Sequence, residues 1–296
     1  MYPLQVEINE ENILKVTTLL KTAYRNIVQE ITTATDFGVA NRRAILSQIN
    51  QILKETGTDV QEFLAKELPV YYEVGADEAV KQLKNTGAQV QVAEGFNRIH
   101  KEAIVALVDD TSRAFGESLR GVGRSANLLL GKATRDQLTQ KMAEGQIGGK
   151  ALKEVKRNIV GILQEQGLDA LKDKGGHTWT LDRYSEMLFR TKVVESRNRG
   201  MINRMVENEY DLVQVSSHNT EHRACAVWEG KILSATGKTP GYPTVDQAEN
   251  AGLFHPNCKH AVNALIPKLA KMTRAYYPDE RTRIISETQI QSLSGL

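Results

Sequence analysis

The spacing of apolar positions predicts that the chain begins with an amphipathic helix. Six apolar residues near the N-terminus recur at spacings of three and four, which places them on one helical face. They are Ile13, Val16, Leu20, Ala23, Ile27 and Ile31. The same spacing predicts helices over residues 39–55 and 58–84. Gly57 lies between these two segments, and we expect it to end the first, because glycine commonly follows the last turn of a helix.

Two local signals bear on the helix predicted over residues 58–84. Thr58 and Gln61 have the spacing of a capping box, so we expect the helix to begin at Thr58. Pro69 lies inside the segment and predicts a kink or a break, because proline has no backbone N–H to donate.

Helical periodicity continues toward the middle of the chain. A long helix is predicted over residues 92–119, and the glycine-punctuated stretch "GVGRSANLLLGKATRD" after it predicts a connection. Shorter helices fit residues 134–144 and 149–166, and a longer one fits residues 181–208. The first 175 residues therefore indicate a mostly α, extended helical part.

The pattern changes in the C-terminal third. The segments "DLVQVSS", "GKILSAT" and "HAVNALIP" favour short strands separated by turn-rich sequence. We predict a small α+β module over residues 176–268 and a peripheral tail over residues 269–296. The predicted fold is therefore mostly α, with a helical part over residues 1–175 that precedes this module.

Composition narrows the class of protein without identifying a function. The chain has 296 residues, 41% hydrophobic and 25% charged, which suits a globular protein with a real core. The net charge of +2 provides no overall attraction to nucleic acid or membrane. No apolar run approaches the ~18 residues of a membrane span. The N-terminus has no basic start followed by an apolar stretch, so we expect no secretory signal.

Both cysteines lie in the C-terminal module, each with a histidine close by. His222 and Cys225 have the H-x-x-C spacing, and Cys258 and His260 have the C-x-H spacing. Two such pairs on separate turns suit a tetrahedral zinc ion, and a full set of four protein ligands is typical of a structural site. The spacing equally suits buried thiols beside ordinary loop residues.

Three nearby residues could take other roles. His218 is a reserve ligand, whereas His255 precedes a proline and is expected to cap the turn. Glu221 stands beside His222 and could serve as a base next to a metal, although four protein ligands would leave no open position for water.

A basic region lies in the helical part. Ten basic and four acidic residues fall between positions 113 and 157, a local net charge of +6. Such a region could contact DNA phosphates or could simply form solvated helix faces. The candidate contacts are Arg113, Arg120, Arg124, Lys132, Arg135, Lys153, Lys156 and Arg157.

Three stretches carry a resemblance to a known family. "GGHTWTLDRYSEMLFRT", "DLVQVSSHNTEHRACAVWEGKILSATG" and "GLFHPNCKHAVNALIP" resemble the phage minor capsid protein 2 family, which is related to Mu F-like head morphogenesis proteins. The close similarity covers about residues 175–268. In relatives the first ligand pair often reads C-x-x-C, and this chain has His222 at the first position, which strengthens the zinc hypothesis.

The resemblance implies a structural virion protein without enzyme activity. It implies several copies per particle, assembly in the host cytoplasm, a place in the head interior or at the portal vertex, and portal and capsid proteins as partners.

The N-terminal helices carry more apolar positions than a small helical layer needs, and surplus apolar faces often mark a partner surface. We therefore expect residues 1–175 to make the attachment and residues 176–268 to fold independently around zinc.

Two other functions remain open from the sequence. The module could be a zinc-dependent hydrolase or a toxin-like module delivered with the genome. Alternatively, the basic region could make the protein a DNA-binding packaging factor, with packaged DNA as a further partner.

Overall fold

A computed structural model describes residues 7–91, 95–144, 154, 157, 171–172 and 178–266. The described chain is mostly helical with a small antiparallel sheet, which confirms the mostly α class predicted for the chain. Its helices are α1 (Glu10–Thr33), α2 (Val39–Asn85), α3 (Arg98–Glu144), α4 (Leu181–Glu207), α5 (Arg223–Ala226) and α6 (Val245–Asn250). Its strands are β1 (Leu171–Lys172), β2 (Thr178–Trp179), β3 (Leu212–Val215), β4 (Ile232–Ser234) and β5 (Val262–Ala264).

Helix α2 joins the two segments that the sequence predicted as separate helices. It runs for 47 residues through Gly57 and Pro69, so the predicted stop at Gly57 and the capping box at Thr58 are wrong. The hydroxyl of Thr58 donates instead to the carbonyl of Lys54 at 3.3 Å, a contact typical of a helix interior. Pro69 does not divide the helix.

Helix α3 contains the stretch predicted as a connection. It begins at Arg98, later than predicted, and continues to Glu144. The side chain of Asn97 accepts hydrogen bonds from two backbone N–H groups of the first turn, at 3.0 and 3.3 Å, and so caps the helix. Buried residues keep the helical spacing through the glycines, which explains why the helix continues. They are Val122, Ala126, Leu130 and Ala133.

The C-terminal elements agree with the sequence-based expectation. Helix α4 matches the helix predicted over 181–208, and the three strands lie within the predicted segments. The three-stranded sheet has the order β4-β3-β5, with both pairs antiparallel. Strands β1 and β2 form a separate two-stranded pair. The helix predicted over 149–166 lies outside the described residues except for positions 154 and 157.

The chain forms two compact units, each built from separate segments. Unit 1 comprises Met1–Asn9, Ala65–Asp109 and Met187–Leu296, and unit 2 comprises Glu10–Leu64 and Asp110–Glu186. Unit 1 therefore combines the α+β module with residues from the middle of the helical part. The predicted segments 1–175 and 176–268 do not coincide with these units.

The apolar face of α1 is buried within unit 2. Ile13, Val16, Leu20, Ile27 and Ile31 are all less than 8% exposed. These residues form core rather than a surplus face. These five residues therefore do not mark a partner surface, and attachment through the helical part stays a prediction.

Two glycines set the helix packing in unit 1. A Cβ atom on Gly75 of α2 would lie 1.9 Å from the carbonyl oxygen of Arg197 in α4. A Cβ atom on Gly200 would lie 1.9 Å from the carbonyl oxygen of Tyr72. No side chain fits at either position, so the backbones of the two helices approach as closely as glycine allows.

Side chains from α2 and α4 bind the outward backbone groups of β5. The guanidinium of Arg197, itself ion-paired with Glu78, donates to the carbonyl of Val262. The side-chain oxygen of Asn198 accepts from the N–H of Val262 at 3.1 Å. Gln82 accepts from the N–H of Ala264 at 2.7 Å. The sheet is thereby fixed to both helices.

A buried polar network links α2, α3 and α4 within unit 1. The Tyr72 hydroxyl lies 2.9 Å from Nδ1 of His100, whose Nε2 lies 3.2 Å from the Glu207 carboxylate. Arg204 also donates to Glu207, at 2.5 Å. Burial lowers the pKa of His100, against a smaller opposing effect of Glu207. Burial also raises the pKa of Tyr72 to about 12.

Among the described residues, no helix combines the length and the apolar character that crossing a bilayer requires.

We expect Gly75→Ala and Gly200→Ala each to lower the free energy of unfolding by about 1–3 kcal/mol or more, because the added methyl group forces the helix backbones apart. Gly57→Ala is the control, since its added Cβ would make only an ordinary 3.6 Å contact with Leu119. Chemical denaturation measures the effect. Equal unfolding midpoints for the three variants would contradict the proposed packing constraint.

The His100 network predicts a pH effect on stability. Because folding lowers the pKa of His100, the unfolded chain binds more protons below about pH 6.5. Stability therefore falls as the pH drops from 6.5 toward the folded pKa. We expect the free energy of unfolding to fall less for His100→Asn than for the unaltered protein between pH 7 and 5. His255 and His260 are present in both proteins, so their contributions cancel, and parallel pH profiles would refute the prediction.

Candidate metal centre

The first cysteine is placed by a short helix after β3. His222 is the N-cap residue of the four-residue α5, and Cys225 lies within that helix, with its thiol buried. Trp228 follows one turn later and is fully buried in the core of unit 1, as are neighbouring apolar residues of the sheet. This packing anchors α5 and directs Cys225 inward, while His222 remains exposed.

The second cysteine lies on a tight loop between α6 and β5. Gly252, Phe254 and Asn257 all have positive φ, at 96°, 59° and 64°, so the loop reverses direction repeatedly. The backbone N–H of Cys258 donates to the carbonyl of His255 at 2.8 Å and closes one of these turns.

Hydrogen bonds hold the second loop against β3 and α4. The backbone N–H of Ser216 donates to the carbonyl of Ala261 at 2.8 Å, and the Ser216 hydroxyl accepts from the N–H of Ala261 at 2.9 Å. The side-chain amide of Asn198 donates to the carbonyl of His260 at 3.1 Å. The two cysteine loops are therefore neighbours in the folded chain.

The four predicted ligands fall into two groups that share Cys225. The ligand atoms of Cys225, Cys258 and His260 lie within 4.8 Å of one another. Those of His222, Cys225 and His255 form a second such group. The Cys225 sulfur is 3.2 Å from Nε2 of His255 and 3.8 Å from Nδ1 of His222, and the Cys258 sulfur is 3.1 Å from Nδ1 of His260.

These separations suit a soft metal ion. Zinc–sulfur and zinc–nitrogen bonds of about 2.3 and 2.0 Å imply ligand–ligand separations of about 3.3–3.8 Å in a tetrahedron. Cys225 and Cys258 are both buried free thiols. The group of Cys225, Cys258 and His260 thus offers two sulfurs and one imidazole, and the group that shares Cys225 adds the imidazoles of His222 and His255, one more than a four-ligand site needs.

Burial favours the neutral forms of both cysteines and of His255 and His260. Burial, with a smaller contribution from Cys258, raises the pKa of Cys225 to about 11. Burial also raises the pKa of Cys258 and lowers the pKa of both His255 and His260. Both histidine shifts favour the neutral imidazole, which is the form that binds a metal, whereas the thiols would release their protons on binding a cation.

Glu229 is a site residue that the sequence analysis missed. Its carboxylate accepts from Nε2 of His260 at 3.1 Å and from the backbone N–H groups of His218 and Thr220, each at 3.1 Å. Burial alone would raise its pKa, but these hydrogen bonds lower it. Glu221, the acid singled out from the sequence, is exposed. No local sequence pattern marked Glu229, because its contacts depend on the turn over residues 217–220.

Of the two other histidines weighed from the sequence, His218 stacks on His260, with ring centres 4.2 Å apart. His255 was expected only to cap its turn, but its Nε2 contacts Cys225. His255 therefore joins the candidate ligands.

A cavity of about 350 Å³ borders Cys258 and His255. Its two carboxylates are both ion-paired: Glu195 with Lys192 at 2.8 Å and Glu249 with Arg199 at 3.4 Å. Burial raises the pKa of Glu249. The acids beside the cluster are therefore engaged with cations of α4.

The basic residues predicted to contact DNA lie apart in the sequence from this cluster. Five are exposed on α3, namely Arg113, Arg120, Arg124, Lys132 and Arg135. Arg157 is also exposed, whereas Lys153 and Lys156 lie outside the described residues. Arg113 and Arg120 make long ion pairs with Asp110 and Glu117, at 3.7 and 4.0 Å. Contact with DNA stays a prediction.

Comparisons with known proteins identify the family. A protein described as a structural protein, from Lactococcus phage LL-H, is 25% identical over 131 residues, which cover 42% of this chain. The match spans only 35% of the relative's length, or about a third. No solved structure matches the chain. Residues 39–291 match the family described as phage minor capsid protein 2. Because this match covers most of the chain, the protein belongs to the phage minor capsid protein 2 family, a family of phage structural proteins.

Proposed function

We propose that the protein acts in head morphogenesis as a non-enzymatic component of the virion that binds portal and capsid proteins. The observation that carries this proposal is the family match over residues 39–291, which includes both α2–α3 and the cysteine-bearing loops. The proposal places several copies at the portal vertex or in the head interior. The hydrolase, toxin-like and DNA-packaging alternatives gain no support from the comparisons.

A groove in unit 2 supports the proposal that the protein binds a protein partner. It lies between α2 and α3, has a volume of about 550 Å³, and is lined in part by three glycines, which leave the space unfilled. Three leucines, three basic residues and two asparagines line the rest of it, namely Leu46, Leu53, Leu119, Lys54, Arg120, Arg124, Asn50 and Asn127. Apolar walls with a cationic rim suit a helix that has a leucine-rich face and flanking acidic residues. We propose that a portal or capsid protein supplies this helix.

We further propose that zinc holds the two cysteine loops together. The donor set fits the ion, because Cys225, Cys258 and His260 are buried within 4.8 Å of one another and a further imidazole is adjacent. When bound, the zinc would act as a structural crosslink. The sheet of this region has strands of only three or four residues, so a crosslink would add substantially to its stability. Structural zinc contributes about 10–16 kcal/mol in small peptides.

The groove proposal predicts a recruitment defect. With portal and coat proteins co-expressed to give DNA-free proheads, Arg120→Glu/Arg124→Glu should reduce incorporation at least about 10-fold, because two favourable charge contacts become repulsive. Incorporation is measured by quantitative mass spectrometry of purified proheads.

Lys81→Glu/Lys238→Glu is the matched control, since it makes the same charge change at exposed positions of unit 1. Equal incorporation of both double variants would contradict the groove assignment. Reduced DNA binding of the arginine variant with normal incorporation would favour the packaging alternative.

The zinc proposal predicts close to one zinc per chain by elemental analysis of the purified protein. Cys258→Ser should lose the metal and reduce hydrogen-exchange protection across β3–β5, because the loops are no longer crosslinked. Glu221→Gln, a change at an exposed neighbour of His222, should retain full zinc content and normal assembly. Full zinc retention by Cys258→Ser would refute the proposal. Normal particles without infectivity in Glu221→Gln would reopen an enzymatic role.

A further inference from the structure

The two groups that share Cys225 offer five ligand candidates, whereas tetrahedral zinc takes four. Cys225, Cys258 and His260 are all buried, so the open choice is the fourth ligand. His222 and His255 compete for it, since each approaches Cys225 from the same group of ligand atoms. The hydrogen bonds at the far side of each imidazole ring distinguish the two, because a metal-binding histidine normally donates its other N–H to an acceptor.

His260 shows this arrangement clearly. Its Nε2 lies 3.1 Å from Oε1 of Glu229, which as a carboxylate can only accept, so Nε2 carries the proton. The lone pair is then on Nδ1, the atom that lies 3.1 Å from the Cys258 sulfur. The ring is therefore held in the tautomer and orientation that a metal ligand needs.

Glu229 is itself held rigidly. Besides His260, its two oxygens accept from the Ser217 hydroxyl at 3.2 Å and from the backbone N–H groups of the following three residues, each at 3.1 Å. Asn219, at the centre of this turn, has a φ of 56°. The loop is thus wrapped around the carboxylate, and the carboxylate in turn fixes the position of His260.

His255 is supported in the same way, except that Nδ1 is the hydrogen-bonded nitrogen and Nε2 is the nitrogen that faces a cysteine. Its Nδ1 lies 2.7 Å from the carbonyl oxygen of Pro256, which can only accept, so Nδ1 carries the proton. Its Nε2 therefore has the free lone pair, and this atom lies 3.2 Å from the Cys225 sulfur.

His222 lacks this support among the residues that the structure describes. Its Nδ1 is 3.8 Å from the Cys225 sulfur, and none of the hydrogen bonds found in the described chain fixes its Nε2. The ring is exposed and stacks on His255, with centres 3.7 Å apart. His222 therefore covers the outer face of His255.

We propose that the zinc ligands are Cys225, Cys258, Nδ1 of His260 and Nε2 of His255, and that Glu229 is the positioning residue for His260. This assignment rests on the zinc proposal above. It replaces His222, the ligand suggested by the H-x-x-C spacing, with a histidine that the sequence analysis assigned to a turn.

Cobalt substitution of full-length variants tests the fourth ligand. Cobalt(II) bound by thiolates gives a sulfur-to-metal charge-transfer absorption whose intensity rises with the number of thiolates. His255→Cys should raise this absorption about 1.5-fold, from two thiolates to three, because cysteine can replace histidine in a tetrahedral site. His222→Cys is the matched control and should leave the intensity unchanged. An increase in His222→Cys but not in His255→Cys, or in both variants, overturns the assignment.

Zinc competition with a chromophoric chelator tests the positioning role. Glu229→Gln should weaken zinc binding about 10–100-fold while the cobalt spectrum keeps its tetrahedral bands, as expected when the support of a ligand is lost rather than the ligand. His222→Ala should retain affinity within a few-fold. Unchanged affinity in Glu229→Gln overturns the positioning role. Failure of the unaltered protein to bind zinc or cobalt would instead refute the zinc proposal itself, so the two failures are distinguishable.

Discussion

The close approach of α2 and α4 at Gly75 and Gly200 is the constraint on which unit 1 depends. Backbone contact at this point leaves no room for a side chain on either glycine. It brings Arg197 and Asn198 within reach of β5, and the amide of Asn198 also binds the carbonyl of His260. The position of the second cysteine loop is therefore coupled to the helix crossing. A zinc ion would crosslink loops whose approximate positions the helices already determine, which lowers the entropic cost of assembling its ligands.

The sequence predicted the helical class, the three strands of the main sheet and helix α4, because each follows from a regular apolar spacing. It failed at glycines. Gly57 and the glycines of α3 were interpreted as breaks, yet both helices continue through them. A glycine ends a helix when it adopts a positive φ, but it also serves a helix that packs closely on a neighbour. A Cβ on Gly123 would lie 3.2 Å from Leu53, a contact that no local pattern reveals. Local patterns also could not predict which chain segments form each compact unit, because the contacts that join distant segments are not visible in them.

The candidate metal site was also only partly predictable from the sequence. Ligand spacing alone predicted Cys225 and Cys258 with their nearest histidines as candidate ligands, because tight turns can bring residues two or three positions apart onto one ion. Spacing could not reveal Glu229, whose role depends on the turn that wraps around it. It also could not orient the imidazoles, since the acceptor that fixes each ring is a carbonyl in one case and a distant carboxylate in the other. The candidate residues could therefore be named from the sequence. The tautomer of each imidazole ring could be assigned only from the structure of the folded loops.

The hydrogen bonds to β5 have a consequence for assembly. A strand at the border of a sheet ordinarily offers unpaired backbone groups to which a neighbouring chain can add a strand. Here Arg197, Asn198 and Gln82 occupy those groups on β5. On the opposite border, the N–H of Ser234 in β4 binds the carbonyl of Pro243. The β5 border is thus protected against intermolecular β-sheet formation, and one backbone group of the β4 border is occupied as well. Pairing of two copies of the chain through β5 would first require these side-chain hydrogen bonds to break.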